Sequence, residues 1–218
     1  MPVAPTTYLP RQFDSKDLAH ALQIMRAQPF ASLISTDDEG LPYVSHIPLH
    51  VEVRAEAAAG FVLLGHVAKP NPHWRYLLAR PHHVVTFMGP QAYMSPKVYP
   101  DLARVPTWNY LAVHCTVQAT LIEDPLAKDR LLKKLIGDHE PAFKQQWIDL
   151  GLDYQHKMLA GIVGFELQVQ AVQCKIKINQ HRSEAHAAMY AAYSQGTPDE
   201  KNLALWMQQL GMAAGFAN

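Results

Sequence analysis

Gly65-His66-Val67-Ala68-Lys69-Pro70-Asn71-Pro72-His73-Trp74 is the stretch that decides the fold, because a strand gives way to a helix within it. The run Phe61–Leu64 before it is strand-like, and apolar residues return at helical spacing over Trp74–Leu78. Asn71 is predicted to cap this helix. Pro72 suits the first helical position, where no backbone N–H is needed.

The same junction is a candidate anion site. A helix N-terminus presents unpaired N–H groups and a partial positive charge, and Lys69 lies two residues before the predicted cap. An anion such as a phosphate could bind there. An ordinary capped turn that binds nothing explains the same residues, so the pattern alone leaves both interpretations open.

A helix and a buried strand are predicted on the N-terminal side of this stretch. Asp14 or Ser15 can cap a helix whose apolar residues share one face, and Pro29 closes it. Phe30–Thr36 then has the composition of a buried strand. The helix is expected to cover part of the sheet.

Prolines interrupt the next strand. Asp37–Gly40 has the turn chemistry of a hairpin and leads into Leu41–Val53, which contains Pro42 and Pro48. Proline cannot donate to a strand ladder, so this run is an edge strand or is broken by a bulge at which the backbone can face a ligand. The polar pair Ser45-His46 lies in the interrupted part, and solvent exposure and ligand contact explain it equally well.

Two further strands are predicted on the C-terminal side. His82–Met88 is rich in β-branched and aromatic residues and is expected to end at Gly89-Pro90. Gln91–Pro106 is predicted to be an irregular, aromatic-containing loop, and loops of this length in compact domains are more often functional than idle. Thr107–Ile122 is the longest predicted strand.

Helices then replace strands. Asp124 can cap and Pro125 can begin a helix with one charged and one apolar face, and helical segments follow at 142–150 and 154–160. The Lys and Arg residues of the first helix fit a solvated face and require no nucleic-acid partner.

The last predicted strand carries two lysines. Ile162–Val172 alternates as a strand does, and residues 174–182 extend it. Because strand side chains alternate, Lys175 and Lys177 share one face. Such a pair suits an anionic ligand, and it also suits a solvent-facing edge strand protected by lysine. Residues 183–193 and 203–210 are predicted to be helical.

The composition excludes several classes of protein. Nineteen Lys and Arg residues balance nineteen Asp and Glu residues, so no overall charge favours nucleic acid or an anionic membrane. No apolar run is long enough to span a bilayer, and the N-terminus lacks the plan of a signal peptide, so a cytoplasmic protein is expected. Cys115 and Cys174 are expected to be reduced thiols. Among the twelve histidines no pair has the His-Glu-x-x-His spacing, so no metal centre is expected.

The strand pattern predicts a fold class. No GxGxxG, P-loop or nucleophile elbow is present, which argues against dehydrogenase, NTPase and hydrolase functions. Roughly six strands at short intervals predict a mainly β fold of the α+β class, an antiparallel barrel with flanking helices. Residues 1–122 and 162–182 are assigned to the barrel, 123–161 to a helical insertion packed on it, and 183–218 to a C-terminal helical segment.

Several stretches are specific as an ordered set: Gly65–Ala68 with Asn71-Pro72 and Trp74, Gly89–Pro96 with Tyr99, Val105–Tyr110 with Ala112–His114, Ile162–Glu166, and Lys175–Arg182. In this set the chain resembles the PaiB-type negative transcriptional regulators, members of the FMN-binding split-barrel superfamily. The resemblance covers nearly the whole chain, from about Tyr8 to Ala192. The chain departs from the family pattern at Asn179 and His181, where serine and asparagine are frequent.

The resemblance implies a six-stranded antiparallel split barrel that forms a homodimer and holds FMN at the subunit interface, with DNA as a partner by resemblance alone. A flavin phosphate carries nearly two negative charges and needs cations or helix N–H groups. The resemblance places Ser45 and His46 beside the isoalloxazine ring, and His66, Val67, Lys69 and Asn71 near the phosphate. It implies that Trp108, Asn109 and Tyr110 contact the flavin from the second subunit. Lys175 and Gln180 are also expected among the cofactor-binding residues.

Three functions remain open from the sequence. The first is an FMN-binding homodimer that regulates transcription, a role implied by the resemblance, since no helix-turn-helix and no basic face is recognisable. The second is an FMN-dependent oxidoreductase or haem-utilisation protein of the same superfamily, although no residue stands out as an acid, base or nucleophile. The third is a binding module for another small molecule or a protein, which leaves the predicted phosphate site unexplained.

Overall fold

A computed structural model describes residues 4–101 and 103–213. Its strands are β1 (Asp14–Ser15), β2 (Phe30–Thr36), β3 (Pro42–Pro48), β4 (His50–Val53), β5 (Phe61–Ala68), β6 (His83–Met94), β7 (Thr107–Ile122) and β8 (Ile162–Lys177). Its α-helices are α1 (Leu18–Ala27), α2 (His73–Ala79), α3 (Pro125–His139), α4 (Phe143–Asp149), α5 (Leu152–Ala160), α6 (His186–Ser194) and α7 (Pro198–Gln209). None of these helices is long and apolar enough to cross a membrane.

The strands form one eight-stranded sheet in the order β3-β2-β6-β7-β8-β5-β4, with β1 paired to β8. β2 and β3 pair antiparallel from Phe30↔Pro48 to Thr36↔Pro42, and β5 and β8 pair antiparallel from Val62↔Gln168 to Ala68↔Ile162. β3 and β4 stand at opposite ends of this order, yet Leu49 alone separates them in the chain. The two edges therefore meet, and the sheet closes on itself.

The chain is divided between two compact units. The first contains residues up to 6, 25–87 and 114–172, and the second contains 7–24, 88–113 and the residues from 173 onward. In the first unit, alternate residues of β2 point inward, so that Ala31, Leu33 and Ser35 are buried. α3 covers this barrel with Leu131 and Leu135, which pack with Val62 and Leu64 of β5.

The second unit combines the C-terminal helices with short strand pairings. β1 pairs with β8 through Asp14↔Lys175 and Ser15↔Cys174. α7 begins with a capping box, in which the Thr197 hydroxyl accepts from Glu200 N–H while the Glu200 carboxylate accepts from Thr197 N–H. Leu203 and Met207 of α7 are fully buried, as is Met189 of α6.

Several predicted elements are confirmed. β7 spans the predicted residues, and α3 begins at Pro125 with the Asp124 carboxylate accepting from the N–H groups of Leu126 and Ala127. The interrupted strand is divided at Leu49 into the two edge strands β3 and β4. This division, together with β1, explains why the sheet has eight strands and not six.

Other boundaries were predicted wrongly. Asp14 and Ser15 form β1, and the carboxylate at the start of α1 belongs to Asp17, which accepts from Ala19 N–H at 2.9 Å. β6 does not end at Gly89-Pro90 but runs on to Met94. Gly89 is a position of close approach between backbones, since a Cβ there would lie 2.9 Å from Cβ of Leu111.

The lysines of β8 do not protect an edge. β8 lies between β7 and β5 in the sheet order, so the interpretation of this strand as an edge was wrong. Lys175 is buried, and its ammonium group donates to the Tyr8 carbonyl at 2.8 Å. The last five residues of the predicted C-terminal segment 183–218 lie outside the described residues.

Candidate functional site

The stretch Gly65–Trp74 contributes two residues to a buried chain of hydrogen bonds within the first unit. The Asn71 side-chain amide donates to Ser45 Oγ at 3.0 Å, and Ser45 Oγ lies 2.8 Å from Nδ1 of His73. On the other side of its ring, His73 Nε2 lies 2.8 Å from Ser35 Oγ, which in turn lies 2.9 Å from Nδ1 of His83. Both serines and both histidines are buried. This set, from Asn71 to His83, is called the Ser–His chain below.

The direction of every hydrogen bond in the Ser–His chain follows from one carbonyl group. His83 Nε2–H donates to the Leu77 carbonyl at 3.2 Å, so Nδ1 of a neutral His83 must accept, and it accepts from the Ser35 hydroxyl. Ser35 Oγ then accepts from His73 Nε2–H, and the Ser45 hydroxyl donates to His73 Nδ1. Each buried donor therefore has one acceptor, provided that both rings are neutral.

The environment of the two rings favours the neutral form. Burial, and secondarily the nearby His83, lowers the pKa of His73 to about 4. Burial also lowers the pKa of His83, against the opposing effect of its backbone hydrogen bonds. The ring of Tyr43 meets that of His73 edge to face, with centroids 5.1 Å apart. Both histidines are consequently uncharged at neutral pH.

Asn71 links the Ser–His chain to the turn before α2. The predicted helix start is one residue too early, because α2 begins at His73, but Asn71 Oδ1 does accept from His73 N–H at 3.0 Å. The same oxygen accepts from the Tyr43 hydroxyl at 3.3 Å. Hydrogen bonds therefore fix both the oxygen and the nitrogen of the Asn71 side-chain amide, the nitrogen through Ser45.

The other predicted residue of β3 lies apart from this chain. His46 is exposed, as expected from strand alternation, and its Nδ1 lies 3.0 Å from Ser32 Oγ of β2. Its ring stacks on Phe30, with centroids 6.4 Å apart. Ser45 and His46 therefore point to opposite faces of β3.

His66 carries a buried nitrogen that lacks a partner. Nδ1 of His66 is fully shielded and makes no hydrogen bond to any described residue, and burial lowers the pKa of the ring. A shielded ring nitrogen without a partner is uncommon, because such a group costs free energy unless something pairs with it. Its neighbour Val67 is buried in the barrel wall.

Lys69 lies on a basic cleft of the first unit. The cleft has a volume of about 380 Å³ and is lined by Lys69, Lys128 and His156, with Pro125, Leu159 and Ala160 supplying apolar surface. The backbone N–H of Lys69 donates to the Gly161 carbonyl at 2.8 Å, which ties the turn to the end of α5. The Lys69 side chain itself is exposed.

The remaining predicted residues lie in the second unit, and most of them are engaged. Trp108 is 54% exposed, whereas Asn109 is fully buried and donates from Nδ2 to the Tyr193 hydroxyl at 2.9 Å. The ammonium groups of Lys175 and Lys177 lie 5.2 and 5.8 Å from the centre of the Tyr110 ring. This places both lysines on one face, as predicted.

Gln180 folds back on its own strand end. Its Oε1 accepts from Ile178 N–H at 3.0 Å and its Nε2 donates to the Ile176 carbonyl at 2.6 Å. Both ends of this amide are used in shaping the turn after β8.

Ser35, His73 and His83 are not among the residues predicted for the site. A signal for Ser35 exists in the sequence, since it follows Leu33 by two residues on a strand and must share its inward face. A buried hydroxyl needs a partner, but the partner's identity depends on β6 and α2 and cannot be read from local spacing.

The sequence is similar to those of known proteins. Residues 7–171 match the sequence family described as "Putative FMN-binding domain". The "Protease synthase and sporulation protein PAI 2" of Bacillus subtilis (strain 168) is 31% identical over 182 residues, covering 81% of this chain and 84% of the relative.

Solved structures share the fold. The flavocytochrome Anf3 of Azotobacter vinelandii superposes with a TM-score of 0.63 at 17% identity, over 80% of this chain and 74% of that protein. A FAD and haem binding protein of Mycobacterium smegmatis gives a TM-score of 0.55 at 16% identity, over 75% and 73% of the two chains. The predicted mainly β, α+β fold with flanking helices is thereby confirmed. Since the family match spans well over half of the sequence, the chain belongs to the PaiB-type family of FMN-binding proteins, and FMN is the cofactor of that family.

Proposed function

We propose that the protein is an FMN-binding homodimer that acts as a negative regulator of transcription, with the FMN phosphate held at the cleft of Lys69, Lys128 and His156. The observation that carries the proposal is the grouping of these three basic side chains on one cleft. A phosphate group is recognised by several cations and N–H donors together, because charge-assisted hydrogen bonds are about twice as strong as neutral ones.

The residues around this cleft fit a flavin nucleotide. Nδ1 of His66, which has no hydrogen-bond partner in the described part of the chain, offers a buried hydrogen-bonding atom on β5, the strand that leads to Lys69. The apolar part of the cleft, from Leu159 and Ala160, suits the non-phosphate portion of such a ligand. Bound FMN would supply a ring that accepts and returns electrons, while the chain itself supplies charge, orientation and shielding from water.

The homodimer is proposed from the family resemblance, with one exposed side chain in support. An indole that is half exposed on a strand, as Trp108 is, offers a flat apolar surface to a flavin held by a second copy. Asn109 is a weaker candidate for such a contact because its side chain is buried and bonded to Tyr193.

Replacing Lys69 with alanine should raise the Kd for FMN about tenfold, the loss expected for one charge-assisted hydrogen bond. The Kd for riboflavin, which lacks the phosphate, should change little. Lys128→Ala should behave in the same way. Fluorescence titration of the apoprotein with each ligand measures both constants.

The matched control is Lys157→Ala, since Lys157 follows His156 on α5, is exposed, and does not line the cleft. It should leave both Kd values unchanged. Equal losses of FMN and riboflavin affinity in Lys69→Ala would place the phosphate elsewhere.

Regulation requires DNA binding that survives physiological salt, because the neutral net charge provides no general electrostatic attraction. The FMN-loaded protein should bind promoter DNA at least about a thousandfold more tightly than random DNA, which is the ratio typical of specific DNA-binding proteins. Analytical ultracentrifugation of the same samples measures whether the protein is a monomer or a dimer. Equal affinity for both DNAs would favour the alternative, a flavin-dependent oxidoreductase, and a monomer that carries FMN would contradict the proposed interface.

A further inference from the structure

The turn that carries Lys69 is fixed at several points. Asn71 N–H donates to the Ala68 carbonyl at 2.9 Å, and the indole N–H of Trp74 donates to the Lys69 carbonyl at 3.1 Å. The side chain of Asn71 extends inward and connects the turn, through Ser45, to the Ser–His chain. The Asn71 amide therefore links the Lys69 turn to the barrel interior.

We infer that Ser35, His73 and His83 are positioning residues, which hold the Asn71 amide, and with it the Lys69 turn, in the orientation that receives the FMN phosphate. Their link to FMN rests on the proposed function. None of the three side chains lines the basic cleft. Their effect on a ligand must therefore pass along the Ser–His chain.

Ser45 Oγ accepts a hydrogen bond from Asn71 Nδ2, so its own hydrogen must be donated to another acceptor. The acceptor is Nδ1 of His73, so the hydrogen of that ring must be on Nε2, where Ser35 Oγ accepts it. Ser35 can do so because its own hydrogen goes to His83 Nδ1, whose ring donates in turn to the Leu77 carbonyl. Removing any member leaves the next one with a buried group that lacks a partner.

A buried side chain that has lost its hydrogen-bond partner tends to rotate toward another partner. Within the Ser–His chain, such a rotation is easiest at the residue that is least buried. Ser35, Ser45, His73 and His83 are all at most 7% exposed, whereas Asn71 is half-buried. A defect introduced at Ser35 should therefore appear at Asn71. A Lys69 turn that must be ordered during binding costs entropy that a preorganised turn does not.

The test compares Ser35→Ala with Ser32→Ala. Both serines lie on β2 and both hydroxyls contact a histidine ring, but Ser32 contacts the exposed His46 on the other face. Ser35→Ala should raise the Kd for FMN roughly three- to thirtyfold, the range of measured couplings between sites, and should leave the Kd for riboflavin within about twofold. Ser32→Ala should leave the ratio of the two Kd values unchanged, because FMN and riboflavin share the ring that His46 is predicted to face.

His73 provides a second, independent comparison. Glutamine carries one donor and one acceptor at about the separation of the two ring nitrogens, so His73→Gln should keep the FMN affinity within about twofold of the native value. His73→Leu should behave like Ser35→Ala. Rescue by glutamine separates positioning from a merely apolar packing role.

Nitrogen-15 NMR of the ligand-free protein shows which nitrogen of each histidine in the Ser–His chain carries the hydrogen. His73 and His83 should both be neutral with the hydrogen on Nε2, and the side-chain amide signals of Asn71 should shift in Ser35→Ala and not in Ser32→Ala. Either histidine with its hydrogen on Nδ1, or an unshifted Asn71 amide, would overturn the inference. A ratio of FMN to riboflavin Kd values that is equal in both serine variants would overturn it as well, whereas a native protein that binds no FMN would overturn the proposed function first.

Discussion

Acidification from pH 7 to pH 4 is expected to lower the free energy of unfolding by roughly 3 kcal/mol through His73 alone. Burial, and then the nearby His83, lowers the pKa of His73 from 6.5 to about 4. In the unfolded chain the imidazole takes up a proton near pH 6.5, whereas in the folded protein it stays neutral until about pH 4. Stability is therefore complete above pH 6.5 and is lost as the pH falls to about 4.

The matched variant is His73→Gln, which keeps a donor and an acceptor but does not titrate in this range. Denaturant unfolding of both proteins at pH 7, 6, 5 and 4 gives two curves. Carboxylates and the remaining histidines contribute to both, so the difference between the curves isolates His73. The native protein should lose roughly 3 kcal/mol more than the variant. Parallel curves would show that His73 is not held in the neutral form.

Gly65→Ala is expected to destabilise the protein by roughly 3 kcal/mol, at the upper end of the cost of overpacking a core. An added Cβ would overlap Cδ2 of Leu49 and would lie 3.1 Å from Cε2 of Phe165, the residue paired with Gly65 across β5 and β8. Both neighbours are buried, with Leu49 1% and Phe165 0% exposed, so neither side chain can move aside without disturbing the barrel interior.

Two controls define this prediction. Gly137→Ala, in the last turn of α3, would place its Cβ next to the flexible end of Lys144 and should be neutral or stabilising by up to about 1 kcal/mol. In a Leu49→Ala background the added methyl group gains room, so the cost of Gly65→Ala should fall by about 1 kcal/mol or more. Thermal or denaturant unfolding measures the stability of the native protein and of these four variants. Strict additivity would show that Leu49 is not the obstacle.

Local sequence patterns were sufficient for elements that are set locally. Asp124 and Pro125 define the start of α3, and the long run rich in β-branched, aromatic and other apolar residues from Thr107 to Ile122 defines β7. Patterns failed where distant residues decide the outcome. Asp14 and Ser15 are a plausible helix cap by composition, but they pair with Cys174 and Lys175, far along the chain. Gly89-Pro90 resembles a turn, and only the approach of Leu111 explains a glycine inside β6.

The site divides in the same way. The family resemblance predicts Ser45, Lys69 and Asn71 as site residues, and these three lie on one turn and the strand beside it. Lys128 and His156 could not be added from spacing, because the fold of α3 and α5 brings them to Lys69. The charged state of a histidine such as His73 is equally inaccessible, since its pKa depends on burial by elements that are distant in sequence.

The pairing of β5 also sets an order of events during synthesis. On one side, β5 meets β4 through a short hairpin, with His50 opposite Leu64 and Val53 opposite Phe61, and this pair can form as soon as it leaves the ribosome. The other side pairs only with β8, from Ile162 to Gln168. The nascent chain therefore exposes an apolar strand edge throughout the translation of β6, β7 and α3–α5, and this interval is when association with other unfinished chains competes with barrel closure.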